Sequence, residues 1–173
     1  IARRQLKLGA HGICASTIHE AEIMHAAGLA EILITGEQVG INKIGRLIRL
    51  TKSAPETMST IDNADHAEQL SEAARAAKIT LNVMVDIDPV GRRTGIAPGE
   101  KALALAKKID QLEGLQLRCV HGCAAASSHV KGYEARKAHT IQNKKPVIES
   151  FEAMKKAELP AEIMSGARTG TYN

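Results

Sequence analysis

Aromatic residues are nearly missing from this chain: two tyrosines, one phenylalanine and no tryptophan among 173 residues. Stacking on unpaired bases, on which single-strand nucleic-acid binding leans, has no basis here. The core must be built from Ile, Leu, Val, Ala and Met. No apolar run approaches the roughly 18 residues of a membrane-spanning helix. The first residues carry no signal-peptide pattern. Cysteine is scarce and odd in number: Cys14, Cys119 and Cys123. Cys119 and Cys123 stand four apart, outside the C-x-x-C spacing of metal and redox pairs. Free, buried thiols in a reducing, cytoplasmic setting are expected. A strong excess of one charge is also lacking. The net charge is +4 and the pI about 9.0. The Lys and Arg residues are mixed with acids, which reads as a solvated surface rather than a nucleic-acid patch. The pairs Lys144-Lys145 and Lys155-Lys156 read as helix surface.

What is present is an ordinary globular balance, 44% hydrophobic and 24% charged, with length for one substantial core. The most informative stretch is the last, Ile163-Met164 running into Ser165-Gly166-Ala167-Arg168-Thr169-Gly170-Thr171-Tyr172-Asn173. Glycines let a backbone come close to a ligand. Bare N–H groups in such a turn, with hydroxyls beside them, form an anion-binding nest. A phosphate suits it; so does a strand-to-helix turn without a ligand.

Upstream, the pattern alternates. Residues 1–10 read as the end of a helix stopped by Gly9, with no cap before Ile1. Strands are expected at 12–15, 30–36, 56–62, 79–87, 115–122 and 161–164. Helices are expected from Thr17 to Gly28, Val39 to Thr51, Asn63 to about Ala77, Glu100 to about Leu112, and about Gly132 to Lys156. Thr17 and Glu20 have the capping-box spacing. Ile41, Ile44, Leu47, Ile48 and Leu50 form the buried side of their helix. Pro146 should kink or split the last one. His19 and His25 fall on the first full helix, not four apart. Repeated strand–helix units mean a parallel sheet covered by helices, either open and doubly wound or closed as a (β/α) barrel. Six units, an uncapped first helix and an abrupt stop fit an incomplete TIM-type (β/α)8 barrel with both ends cut. Its chemistry belongs at the C-terminal ends of the strands, with a phosphate site after strand seven or eight.

Gln5…Gly9-Ala10…Gly12-Ile13…Glu20-Ala21-Glu22, followed by Ala27-Gly28-Leu29-Ala30-Glu31-Ile32-Leu33-Ile34, resembles one branch of the fold-type III pyridoxal-phosphate enzymes. That branch is the D-threonine aldolase, D-serine dehydratase and D-threo-3-hydroxyaspartate dehydratase family, built on an alanine-racemase-like barrel. Val85-Asp86-Ile87-Asp88…Arg93-Thr94-Gly95-Ile96, Gly132-Tyr133-Glu134-Ala135-Arg136 and Ser165 to Tyr172 resemble three further family blocks, so the likeness runs along nearly the whole chain. It implies that residues 1–173 are the central part of a barrel domain binding pyridoxal 5'-phosphate, without the family's C-terminal β domain. It implies that Arg93 faces the pyridine nitrogen and that His121 stands at the cofactor ring, where the family usually carries Gln. Ser165, Gly166, Thr169, Gly170 and Thr171 match the phosphate cradle. Arg92 remains a surface residue, and Asp86 and Asp88 match the family while ordering the loop.

The implied activity is that of a lyase for β-hydroxy D-amino acids, by retro-aldol cleavage or dehydration, with a divalent metal whose ligands lie outside this chain. The implied partners are a small amino-acid substrate and a second copy in a homodimer, with neither nucleic acid nor membrane. Three departures stand out. The Schiff-base lysine of the family belongs upstream of Ile1, and Lys7 does not replace it. The family's usual Tyr, Gly and His after the strand ending at His121 give way to Cys123-Ala124-Ala125-Ala126. Its Gly-Gly in the phosphate turn is Ala167-Arg168, where Arg168 could add a phosphate contact. Two other readings remain open: a non-catalytic pyridoxal-phosphate carrier on a single barrel, and an α/β enzyme using the Ser165 turn for a sugar or nucleotide phosphate.

Overall fold

A computed structural model describes residues 1–91 and 93–171, Thr169 by its backbone alone. Arg92 and Tyr172, both singled out above, lie outside the described residues. Six parallel strands stand side by side in chain order: β1 (Ile13–Ala15), β2 (Ile32–Ile34), β3 (Met58–Ile61), β4 (Leu81–Asp86), β5 (Leu115–Gly122) and β6 (Ile163–Gly166). Helix α1 (Ala2–Lys7) precedes β1. Then α2 (Ile18–Ala26), α3 (Ile41–Ser53), α4 (Ala64–Ala77), α5 (Glu100–Asp110) and α6 (Tyr133–Lys156) join the strands in turn. With strand order equal to chain order, every right-handed crossover steps the same way and all helices fall on one face. They do: α2 packs on α3, α3 on α4, α4 on α5 and α5 on α6. A doubly wound sheet reverses its strand order part-way; this one does not. The fold is six units of a (β/α) barrel, incomplete as expected.

The strand period of two divides the residues. On β4, Leu81, Val83 and Val85 join the helix-facing core, with Ile87 just beyond the strand. Asn82, Met84 and Asp86 alternate with them and face the inside of the arc. On the helices the apolar stripes repeat at three and four, as in Ala102, Leu105, Ala106 and Ile109 of α5. Each fully buried Leu or Ile contributes roughly 1.5–3 kcal/mol. Thr17 closes a complete capping box with Glu20 at the start of α2, and the Asn63 Oδ1 accepts from the His66 N–H, 2.9 Å away, at the start of α4.

Four expectations need correction. Ile41 is exposed: it is the first residue of α3, and the buried stripe begins at Ile44. Helix α6 runs unbroken through Pro146. The residue denied a backbone partner there is Gln142, which is exposed, so water can take the donor's place and the helix need not end. β6 continues to Gly166, past the expected end at Met164, because Ser165 and Gly166 pair with His121 and Gly122. Cys119 and Cys123 are buried and free, but Cys14, also free, is exposed.

Candidate functional site

The strand ends carry three side chains in one row. Asp86 pairs with His121 across β4 and β5, and His121 pairs with Ser165 across β5 and β6. Being in register, all three project from the same face at the C-terminal rim. The Ser165 hydroxyl lies 3.2 Å from His121 Nδ1. Arg93 reaches the same place from the loop after β4, near enough for its charge to act on both Asp86 and His121. Burial first, then the Lys144 and Arg93 charges, push the His121 imidazole down to about 4, so it is neutral near pH 7. Asp86 moves the other way. Burial, then the facing Glu37 carboxyl, raise it to about 8, with Arg93 and the Thr94 hydroxyl opposing. A neutral acid and a neutral base thus stand beside an arginine.

The loop that delivers Arg93 is folded by Asp88. Its carboxylate accepts from the Val90 N–H at 3.1 Å and the Arg93 N–H at 2.8 Å, which is the ordering role expected of it. The Thr94 hydroxyl donates to Asp86 at 3.3 Å, and the chain returns along β4 through an Ile87–Ile96 bridge. Gly95 makes the return possible: its φ is +113°, and a Cβ there would meet the Asp88 nitrogen at 2.6 Å. Gly95→Ala is expected to cost about 1–3 kcal/mol of stability, read as a fall in the urea midpoint. An unchanged midpoint would remove Gly95 as the hinge of this loop.

Beyond Ser165, a Cβ on Gly166 would overlap the Lys144 ammonium and the Gly122 carbonyl. Thr169–Thr171 form a 3-10 turn packed on another, Ala125–His129, after β5. Gly170 passes Ser128 so closely that a Cβ would sit 2.9 Å from the serine Cβ. Thr171 Oγ1 donates to the Arg168 carbonyl at 2.9 Å and accepts the Arg168 N–H at 3.0 Å, so its hydroxyl is engaged within the turn. Ala167 takes φ +72°, a left-handed position where glycine would be unstrained. Arg168 is exposed. Among the described residues no cluster of His, Cys, Asp and Glu could hold a metal, and no helix is long and apolar enough to cross a membrane.

The whole chain, residues 1–173, matches the model of the alanine racemase N-terminal domain family. The chain belongs to that family. Within it, the chain is 29% identical over 164 residues to 3-hydroxy-D-aspartate aldolase of Paracoccus denitrificans strain Pd 1222, covering 95% of this chain and 42% of that protein. It superposes on the crystal structure of D-threonine aldolase from Filomicrobium marinum with a TM-score of 0.93 and 33% identity, over 99% of this chain and 46% of that one. It superposes on D-threo-3-hydroxyaspartate dehydratase from Delftia sp. HT23 with a TM-score of 0.88 and 26% identity, over 98% and 45%. The chain spans less than half the length of each of these relatives.

Two residues of this family member's rim escaped the sequence reading. Glu37, just after β2, is not among the residues the sequence singles out, yet its carboxyl faces Asp86. Lys144, read as helix surface, is half-buried and donates to the Gly122 carbonyl. The helical period held the signal: Lys144 lies three residues before Val147, on the stripe that continues through Ser150 and Met154, all buried.

Proposed function

We propose that this chain is the central part of the barrel of a pyridoxal-phosphate-dependent lyase acting on a β-hydroxy D-amino acid. The observation that carries the reading is the rim itself: Arg93, His121 and Ser165 converge beside a glycine turn at the C-terminal ends of adjacent strands. The aldolases and dehydratase to which the chain is similar support it. A phosphate ester is the ligand this reading assigns to the turn, and glycine at 166 supports it by letting the turn pass the Gly122 carbonyl and bring Lys144 alongside.

When bound, the cofactor would supply an electron sink for charge developing at the substrate's α-carbon. Arg93 would face its pyridine nitrogen and keep it unprotonated, since guanidinium does not give up a proton. His121, neutral, would lie at the ring, oriented by Ser165. Ser165, Gly166, Thr169, Gly170 and Thr171 would hold the phosphate, Thr171 on release of the Arg168 backbone that its N–H and hydroxyl engage. In this reading the imine-forming lysine lies upstream of Ile1. The described residues offer no donor set for a divalent metal, so no step is assigned to one here. Cleavage is either retro-aldol, giving glycine and an aldehyde, or elimination, giving a keto acid and ammonia.

The test is turnover by the full-length protein. Incubation with D-threonine and D-threo-3-hydroxyaspartate, with cofactor and divalent metal supplied, should release an aldehyde or ammonia. Release of neither overturns the lyase reading, and cofactor uptake without turnover would favour a carrier.

A further inference from the structure

We propose that Lys144 is an anion-binding residue of this rim, its ammonium serving as counter-charge to the phosphate monoester. The inference rests on the cofactor reading above and extends it to a residue on α6. Lys144 reaches across the end of β5: its Nζ donates to the Gly122 carbonyl, and it lies where a side chain on Gly166 would be. Both glycines belong to paired positions at the ends of β5 and β6. The ammonium therefore stands against the first residues of the Ser165–Thr171 turn.

No ion pair among the described residues includes Lys144. Its hydrogen-bond partner is a backbone carbonyl. A half-buried ammonium with no carboxylate loses hydration without a compensating charge, and burial accordingly lowers its proton affinity. An anion bound at this spot restores the balance. The position selects which anion: a lysine point charge stands beside Gly166, where the glycine turn begins. That combination suits phosphate. Arg168, the cation expected from the sequence to do this, is exposed.

The experiment compares pyridoxal phosphate with pyridoxal, which lacks the phosphate, in the full-length protein, and uses inorganic phosphate as competitor. Lys144→Met should weaken pyridoxal phosphate binding about ten- to thirtyfold, leave pyridoxal binding unchanged and abolish competition by inorganic phosphate. Lys144→Arg should restore part of the loss. If Lys144→Met binds pyridoxal phosphate as the wild type does and phosphate still competes, the inference falls while the cofactor reading stands. If the wild type takes up neither compound, the cofactor reading falls and this inference with it. Should Lys144→Met lose its circular-dichroism signature of folding, the wild type decides alone: inorganic phosphate must raise its Tm above that in chloride of equal ionic strength, and no rise overturns the assignment.

Discussion

Arg93→Leu is expected to weaken cofactor binding about a hundredfold and to cut turnover of D-threonine or D-threo-3-hydroxyaspartate at least as far. A hydrogen bond to a charged group contributes about 1.5–3 kcal/mol, and each 1.4 kcal/mol is roughly tenfold. The loop should survive the change, because Asp88 holds Arg93 by its backbone N–H and not by its side chain. The loss would therefore be one of function and not of fold. Arg93→Lys keeps the charge but not the behaviour, since an ammonium can pass a proton to a ring nitrogen and a guanidinium cannot; binding should recover while turnover stays low. A second consequence needs no substrate. Arg93 is the charge that lowers Asp86, so in Arg93→Leu the Asp86 carboxyl should hold its proton to still higher pH. Wild-type affinity and turnover in Arg93→Leu would place the arginine outside the site.

The alternation of elements was legible because each signal was local. Thr17 with Glu20 declared the start of α2, and the aliphatic run of β4 declared a buried parallel strand. Leu115–Gly122 was recovered without error because Gly114 precedes it and Gly122 ends it. The boundaries that failed depend on partners far along the chain. β6 extends to Gly166 only because β5 offers a register for Ser165 and Gly166, and nothing near Met164 announces that. Pro146 reads as a breaker when taken alone, yet the α6 turn before it exposes Gln142 and tolerates the missing donor. The rim was legible in part. The residues of the loop after β4 and of the glycine turn stand out by type, whereas Glu37 and Lys144 matter through the side chains that the barrel brings opposite them. A lysine next to another lysine looks like surface until the helical stripe through Val147 and Met154 is followed back to it.

That opposition can be measured through stability. Asp86 titrates near its ordinary value of 3.8 in the unfolded chain and at about 8 in the folded one. Between those values the folded state binds more protons, so stability falls as pH rises. His121 titrates at 6.5 unfolded and at about 4 folded. Between those values the unfolded state binds more protons, so stability rises with pH. The two slopes oppose each other from about 4 to 6.5 and nearly cancel. From 6.5 to 8 Asp86 acts alone, and at about 1.4 kcal/mol per pH unit the protein should lose about 2 kcal/mol. Asp86→Asn, whose amide resembles the protonated acid, should abolish that decline and uncover the His121 rise below 6.5. Glu37→Gln should shallow the decline without removing it, because burial outranks the Glu37 carboxyl as the cause. The urea midpoint against pH reads all three, and a wild-type curve flat from 6.5 to 8 would mean that Asp86 is ionised in the fold. The same neutrality bears on binding: with Asp86 protonated and His121 uncharged near pH 7, nothing in the row at the strand ends neutralises Arg93 before an anionic ligand does.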